Sequence, residues 1–339
     1  MRLKRAVLFI PLVIELQGTV SWILGRFRPT SPLRLPYERT KPSLSLSKPP
    51  IEGTDREPPR LVILIPAYNE EHRIESTLKC YQDFLLDSLS VDTNTTCLLF
   101  REPEIVVVDD GSLDATVQVV ENFPAKIPIR TVALEENSGK GAALAKGVQD
   151  IFESLDSSST ESNHGDTYIL TQDADGSGNL IYLNGMLNKL RKLTSCEINT
   201  TTTTTNGVTG QGLVIGNRNY ELFTSRGITR WGFQTCVRII TSNMLRVKDS
   251  QCGYKLMTLK TAKDLYKNLH LKGWSHDVEV LFRANLLNIP IEETRIEWED
   301  MDGSKITETG VVKVSVEMLF DIIRLRWNYS IVKSWKLDL

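Results

Sequence analysis

From residue 60 the chain repeats one pattern: a short apolar run, a polar turn, then apolar positions returning every three to four residues. "RLVILIPAYNEE" is a strand, a turn holding Pro66, and the start of a helical pattern that reaches about Leu86. "EIVVVDDGSLDATVQVVENF" repeats it, with a strand over 104–109, an acidic turn and a helix from about Asp114. "IRTVALEENSGKGAALAKGVQDIFESL" and "DTYILTQDADGSGNLIYLNGMLNKL" repeat it twice more, and "GLVIGNR" supplies a further strand. Short apolar strands alternating with helices predict an α/β fold, a mostly parallel sheet with helices on both faces. Ligands of such sheets bind beyond the carboxyl ends of the strands. The polar residues gather there: Asn69 and Glu70, Asp109 and Asp110, Asn137 to Gly141, Asp173 and Asp175.

Three Ser/Thr/Asn-rich stretches interrupt the rhythm, at about 88–103, 156–166 and 194–211. They carry too few apolar residues to offset their ordering entropy and are expected as surface insertions. Beyond residue 220, Arg226, Arg230, Arg238 and Arg246 follow at spacings of four, eight and eight, interleaved with Trp231, Phe233, Ile239, Ile240 and Met244. This is either the solvated side of a surface helix or a strip suited to anionic headgroups or phosphates. The last segment, 311–339, reads as an amphipathic helix with Lys313, Glu317, Asp321 and Arg324 on one face. Core packing and a membrane surface both suit its apolar remainder.

Ahead of the repeating region, residues 6–24, "AVLFIPLVIELQGTVSWIL", form an apolar run between basic flanks. Nineteen residues is about the length of a spanning helix, but Glu15 sits near its centre, where a carboxylate costs roughly 3 kcal/mol. Residues 1–28 are therefore expected to be a membrane anchor or an interfacial segment. A cleaved signal peptide would show a small-residue cleavage site, and none is obvious. Residues 29–59 are rich in Pro, Ser and basic residues without periodicity, which predicts a linker. That leaves 60–310 as the folded catalytic-size domain.

Composition changes this picture little: 41% apolar and 24% charged residues are globular values, and a net charge of −2 argues against a general nucleic-acid binder. The five cysteines form no C-x-x-C pair and their number is odd, which suits a reducing compartment better than a disulfide framework. Sequons at Asn94, Asn199 and Asn328 matter only if the domain is lumenal.

Asp173 and Asp175 flank one residue in a turn after a strand, so both can face one cation. Hard Mg²⁺ or Mn²⁺ takes carboxylate oxygens and completes its shell with water and phosphate. A calcium loop starting at Asp173 fails at its twelfth position, where Asn184 replaces the bidentate Glu. A ligand-free Asp-rich turn is the plain alternative. In "VVVDDGSLDAT" a carboxylate can accept bonds from a base or ribose, although Asp-Asp-Gly-Ser is also ordinary turn chemistry and Asp114 could cap the next helix. "ENSGKGAALAKG" misses the Walker pattern at Leu134 and Gly141, yet Lys140 near a helix N-terminus can meet a phosphate.

Taken together, "IPAYNEE", "VVVDDGSLDAT", "NSGKGAALAKG" and "QDADG" resemble family 2 of the glycosyltransferases in order and spacing, over residues 61 to about 305. "DSQCGYKLM", "WSHDVEVLFRANLLNIPIEE" and "WEDMDGSKI" are similar to the dolichyl-phosphate β-glucosyltransferases, more than to the mannose synthases related to them. The resemblance implies a GT-A fold and transfer of glucose from UDP-glucose to dolichyl phosphate with inversion. The β-linked lipid product would serve lipid-linked oligosaccharide assembly and N-glycosylation. It implies that Pro66, Tyr68, Asn69, Glu70, Asp109 and Asp110 serve uracil and ribose. Asp173 and Asp175 take the D-x-D position for metal and diphosphate. Lys140, Arg218, Gln251 and Lys255 would complete the donor site, with Arg226 and Arg230 on the acceptor phosphate. Asp277 would join Asp175 as a catalytic position, positioning the substrates or acting as a base, with a structural acid as the plain alternative. His276 departs from the aromatic common before that acid. The implied place is the endoplasmic reticulum membrane, with the catalytic domain facing the cytosol. A GDP-mannose-dependent transferase and a non-catalytic nucleotide-sugar-binding membrane protein are the alternatives.

Overall fold

The computed structural model describes residues 58–90, 100–156, 167–195, 210–218, 225–242, 244–245, 247–298 and 311–337. The expected anchor and linker, 1–57, and the centres of the three insertions, 91–99, 157–166 and 196–209, lie outside the described residues. Among the described residues no helix is long and apolar enough to cross a membrane.

The first half follows the strand–helix rhythm: β1 (Arg60–Ala67), α1 (Ile74–Leu89), β2 (Arg101–Asp109), α2 (Thr116–Glu121), β3 (Ile129–Ala133), α3 (Lys140–Asp156), β4 (Thr167–Thr171) and α4 (Leu183–Ser195). The second half holds β5 (Leu213–Arg218), α5 (Ser225–Ile240), β6 (Lys255–Thr258), α6 (Leu259–Tyr266), α7 (His276–Leu286), β7 (Ile291–Ile296) and α8 (Val311–Arg326). A π-helical turn, Trp327–Val332, extends α8. The strands form one sheet in the order β3-β2-β1-β4-β6-β5-β7. Every pairing is parallel except those of β6, which runs antiparallel to β4 and β5.

Side-chain alternation along the central strands makes two cores, one on each face. Leu61, Ile63 and Ile65 of β1 pack with Ile105 and Val107 against α1 and α4. Val62, Leu64, Val106 and Val108 pack on the other face with α3, α6 and α7. Gly147 of α3 lets that helix close onto the sheet, because a Cβ there would stand 2.4 Å from a Leu64 methyl.

The described elements flank the expected insertions closely: α1 runs to Leu89, β2 starts at Arg101 and α4 runs to Ser195. Polar residues at these ends return hydrogen bonds to the preceding turn, as Ser88 does to the Phe84 carbonyl (2.8 Å) and Thr194 to Leu190 (3.1 Å). Likewise α2 starts at Thr116, and Asp114 makes an Asx turn just before it, accepting the Thr116 N–H at 3.0 Å.

Candidate active site

The carboxyl ends of β1, β2 and β4 share one edge of the sheet, and antiparallel β6 brings its beginning there. Pairing of Thr171 with Lys255 sets the first residue of β6 beside the last of β4.

Two turns form the β1–β2 side. Asn69 holds a left-handed backbone (φ 53°), which Asn tolerates better than most residues. Its N–H donates to Ser112 Oγ (2.9 Å) and its Oδ1 accepts the Leu113 N–H (2.8 Å). Glu70 receives both arms of Arg73 at 2.6 Å, and its own N–H donates to Thr116 Oγ1 (2.7 Å). Asp110 accepts the Ser138 and Gly139 N–H groups at 2.8 and 2.9 Å, building the turn before α3. Burial raises the Asp110 carboxyl, and those two bonds oppose the shift. Asn69, Glu70 and Asp110 thus hold the frame of the site. Asp109 differs: Oδ2 accepts the Ser112 N–H (3.0 Å), while Oδ1 is buried without a hydrogen-bond partner. Pro66 pairs with Val108 in the sheet register, and Tyr68 follows; both are half-buried.

Beyond β4, Asp173 takes the Lys140 ammonium at 2.5 Å on Oδ1. Asp175 accepts Ser177 N–H and Oγ–H at 3.0 and 2.6 Å on its Oδ1. Burial and then the charge of Asp173 raise the Asp175 carboxyl above its ordinary range. Burial alone would lower Lys140, but Asp173 and Asp277 outweigh it and keep it cationic. Gly253 lets the backbone close on Asp173, since a Cβ there would lie 2.7 Å from Asp173 Oδ1. Two hard carboxylates one residue apart suit Mg²⁺ or Mn²⁺. Among the described residues no group of three or more His, Cys, Asp or Glu gathers to hold a metal, so water and diphosphate oxygens would complete such a shell.

Behind this pair lies a buried charge cluster. The Lys255 ammonium contacts the Asp277 carboxylate and the Cys252 carbonyl, with both side chains almost wholly buried. His276 Nε2 stands 3.2 Å from the same carboxylate oxygen. Burial would raise Asp277, but His276 and Lys255 prevail and hold it well below the usual carboxylate range. Lys255 is therefore committed to Asp277. Arg218 is similarly engaged, with Nε and Nη2 on Asp249 at 2.7 and 3.0 Å and its guanidinium over Trp298. Gln251 reaches the Met318 sulfur of α8 at 3.7 Å. Arg226 and Arg230 lie on α5, and their side chains are outside what is described.

Sequence reasoning missed Gly253 and Trp274. The Trp274 ring lies 5.8 Å from the Lys140 ammonium, a contact across more than a hundred residues that no local pattern announces.

Comparison with known proteins places this geometry. Residues 62–253 match the family described as glycosyl transferase family 2. A Dictyostelium discoideum protein named dolichyl-phosphate beta-glucosyltransferase is 30% identical, over 97% of this chain and 94% of its own. Proteins of that name from Saccharomyces cerevisiae and Homo sapiens are each 29% identical, the former covering 95% of this chain and 92% of its own, the latter 82% and 78%. Among solved structures, Mycobacterium tuberculosis glucosyl-3-phosphoglycerate synthase shares the fold at a TM-score of 0.50, with 16% identity over 78% of this chain and 81% of that one. The chain belongs to glycosyl transferase family 2, among the dolichyl-phosphate β-glucosyltransferases.

Proposed function

We propose that this enzyme transfers glucose from UDP-glucose to dolichyl phosphate, inverting the anomeric carbon. The observation that carries this reading is the meeting of Asp173, Asp175 and Lys140 beyond β4, two strands from the unpartnered oxygen of Asp109. Two strand spacings are about 10 Å, which suits a nucleoside with its base at Asp109 and its diphosphate at Lys140. The free Asp109 oxygen can accept the N3–H of uracil.

Mg²⁺ or Mn²⁺ held by Asp173 and Asp175 would supply Lewis-acid charge to the departing diphosphate. Lys140 adds a fixed cation beside it. The acceptor phosphate oxygen attacks the anomeric carbon as its bond to UDP breaks. A phosphate monoester is mostly dianionic at pH 7 and needs little help from a base. Asp277, already paired with Lys255 and held acidic, is a poor proton acceptor, which favours a positioning role. Arg226 and Arg230 are assigned to the acceptor phosphate. UDP-glucose supply favours the cytosolic face of the endoplasmic reticulum, and the product would serve lipid-linked oligosaccharide assembly and N-glycosylation.

Purified protein with labelled UDP-glucose and dolichyl phosphate is expected to form a labelled lipid, and EDTA to abolish it. No transfer from UDP-glucose, or equal transfer from GDP-mannose, would remove the donor assignment.

A membrane-resident acceptor requires contact with the bilayer. Phe320, Ile323, Trp327 and Ile331 are exposed at spacings of three, four and four along α8 and the π-helical turn. Exposed apolar stripes of this kind suit an interface. Trp327→Glu with Ile331→Glu is expected to raise the KM for dolichyl phosphate in vesicles about tenfold, the change expected of roughly 1.4 kcal/mol lost. The KM for a short, water-soluble polyprenyl phosphate should stay unchanged. Equal effects on both acceptors would assign these side chains to the catalytic fold instead.

A further inference from the structure

Glu279 lies wholly buried on α7, two residues past Asp277, and touches none of the groups assigned to substrate. Its carboxylate nevertheless gathers several donors. The Leu271 N–H donates to Oε2 at 2.6 Å, the His270 N–H to the same oxygen at 3.1 Å, and the Tyr329 hydroxyl to Oε1 at 2.8 Å. His270 Nδ1 stands 3.1 Å from Oε1, and its ring stacks on Trp335 with centroids 4.1 Å apart. A buried carboxyl group with this many bonds is held hard in place, and so are the groups bonded to it.

What it holds is the segment 270–274, and that segment lies on the start of α3. The Lys272 carbonyl accepts the Gly141 N–H at 2.7 Å and the Ala142 N–H at 3.2 Å, satisfying amides a helix start leaves open. Gly139 (φ +96°) and Gly141 admit this contact: a Cβ on Gly139 would stand 2.6 Å from the Lys272 oxygen, and one on Gly141 2.9 Å. Between those glycines is Lys140, whose ammonium meets Asp173 and faces Trp274 of the same segment. The chain of contacts runs unbroken from Tyr329, in the C-terminal π-helical turn, through Glu279 and 270–274 to Lys140.

We infer that Glu279 is a positioning residue for the donor diphosphate, acting through segment 270–274 on Lys140 and tying the C-terminal turn to the donor site. This rests on the donor reading given above. Glutamine at 279 keeps one acceptor oxygen but turns an amide donor toward donors already there. Glu279→Gln is expected to raise the KM for UDP-glucose about tenfold while moving the dolichyl phosphate KM less than twofold. Amide hydrogen exchange over residues 139–143 should quicken in the same variant. In a Lys140→Met background, the further loss of UDP-glucose affinity on adding Glu279→Gln should shrink to less than twofold. Should Glu279→Gln fail to fold, Tyr329→Phe, which removes a single donor, takes its place with an expected two- to threefold rise in donor KM alone.

A purely structural role would lower the active fraction, reducing kcat with both KM values unchanged. That result overturns the inference, as does full additivity with Lys140→Met or unchanged exchange at 139–143. Wild-type protein that transfers no glucose would sink the donor reading instead. The exchange measurement, which needs no substrate, still reports on the contact chain.

Discussion

Asp175→Ala is expected to lower glucosyl transfer by about 10²–10³-fold or more, the scale of removing one preorganised electrostatic group, while the melting temperature stays within a few degrees of wild type. Catalysis and stability separate here because the residue serves them differently. Its carboxyl is half-buried and raised first by burial and then by the charge of Asp173, so the folded state carries repulsion that alanine relieves. Against that, alanine loses two bonds from Ser177, each worth about 1 kcal/mol net. The two effects oppose each other. Steady-state transfer and a thermal melt on one preparation check both halves. Retained turnover would dismiss the metal and diphosphate role, and a collapsed melt would show the turn to be structural.

Lys255→Met should have the opposite signature, a large loss of stability. Its ammonium and the Asp277 carboxylate are almost wholly buried against each other, and removing one partner of such a pair costs up to about 3–5 kcal/mol, less here to the extent that His276, 3.2 Å from the same carboxylate oxygen, compensates the charge left behind. The double variant Lys255→Met, Asp277→Leu should regain most of that stability, since no orphaned carboxylate remains, and should stay inactive. Urea unfolding of wild type, Lys255→Met, Asp277→Leu and the double variant closes the cycle. If Lys255→Met unfolds like wild type, the ammonium is not the partner of Asp277, and its reading as a diphosphate ligand returns.

The two variants mark how far local sequence reaches. Asp173 and Asp175 stand out in the sequence because their placement is local: a buried strand ends and two acids follow within four residues. Lys140 was legible for a similar reason, as a cation at the start of a periodic helix. The strand–helix rhythm of residues 60–195 was legible because backbone hydrogen bonding and apolar period act over a few residues. The same locality lets Ser88 and Thr194 continue their helices into the polar stretches, by bonding the previous turn.

What could not be read depends on distant strands and helices. Lys255 is a donor-site candidate in "QCGYK"; that it also pairs with Asp277 comes from the reversal of β6 against β4 and its packing beside α7. Arg218 and Asp249 are separated by thirty-one residues, and only the folded chain commits one to the other. Glu279 sat unnoticed in a run of helix formers, because its partners come from residues 270–271 and from Tyr329, fifty residues away.

The sequence by itself determined the α/β order, the acidic strand ends and the family, since each is written in short-range pattern and motif spacing. Tertiary structure alone decided which charges pair inside the protein and which stay at the strand ends. That division is set by burial, because an ion taken out of water must find a partner wherever the fold provides one.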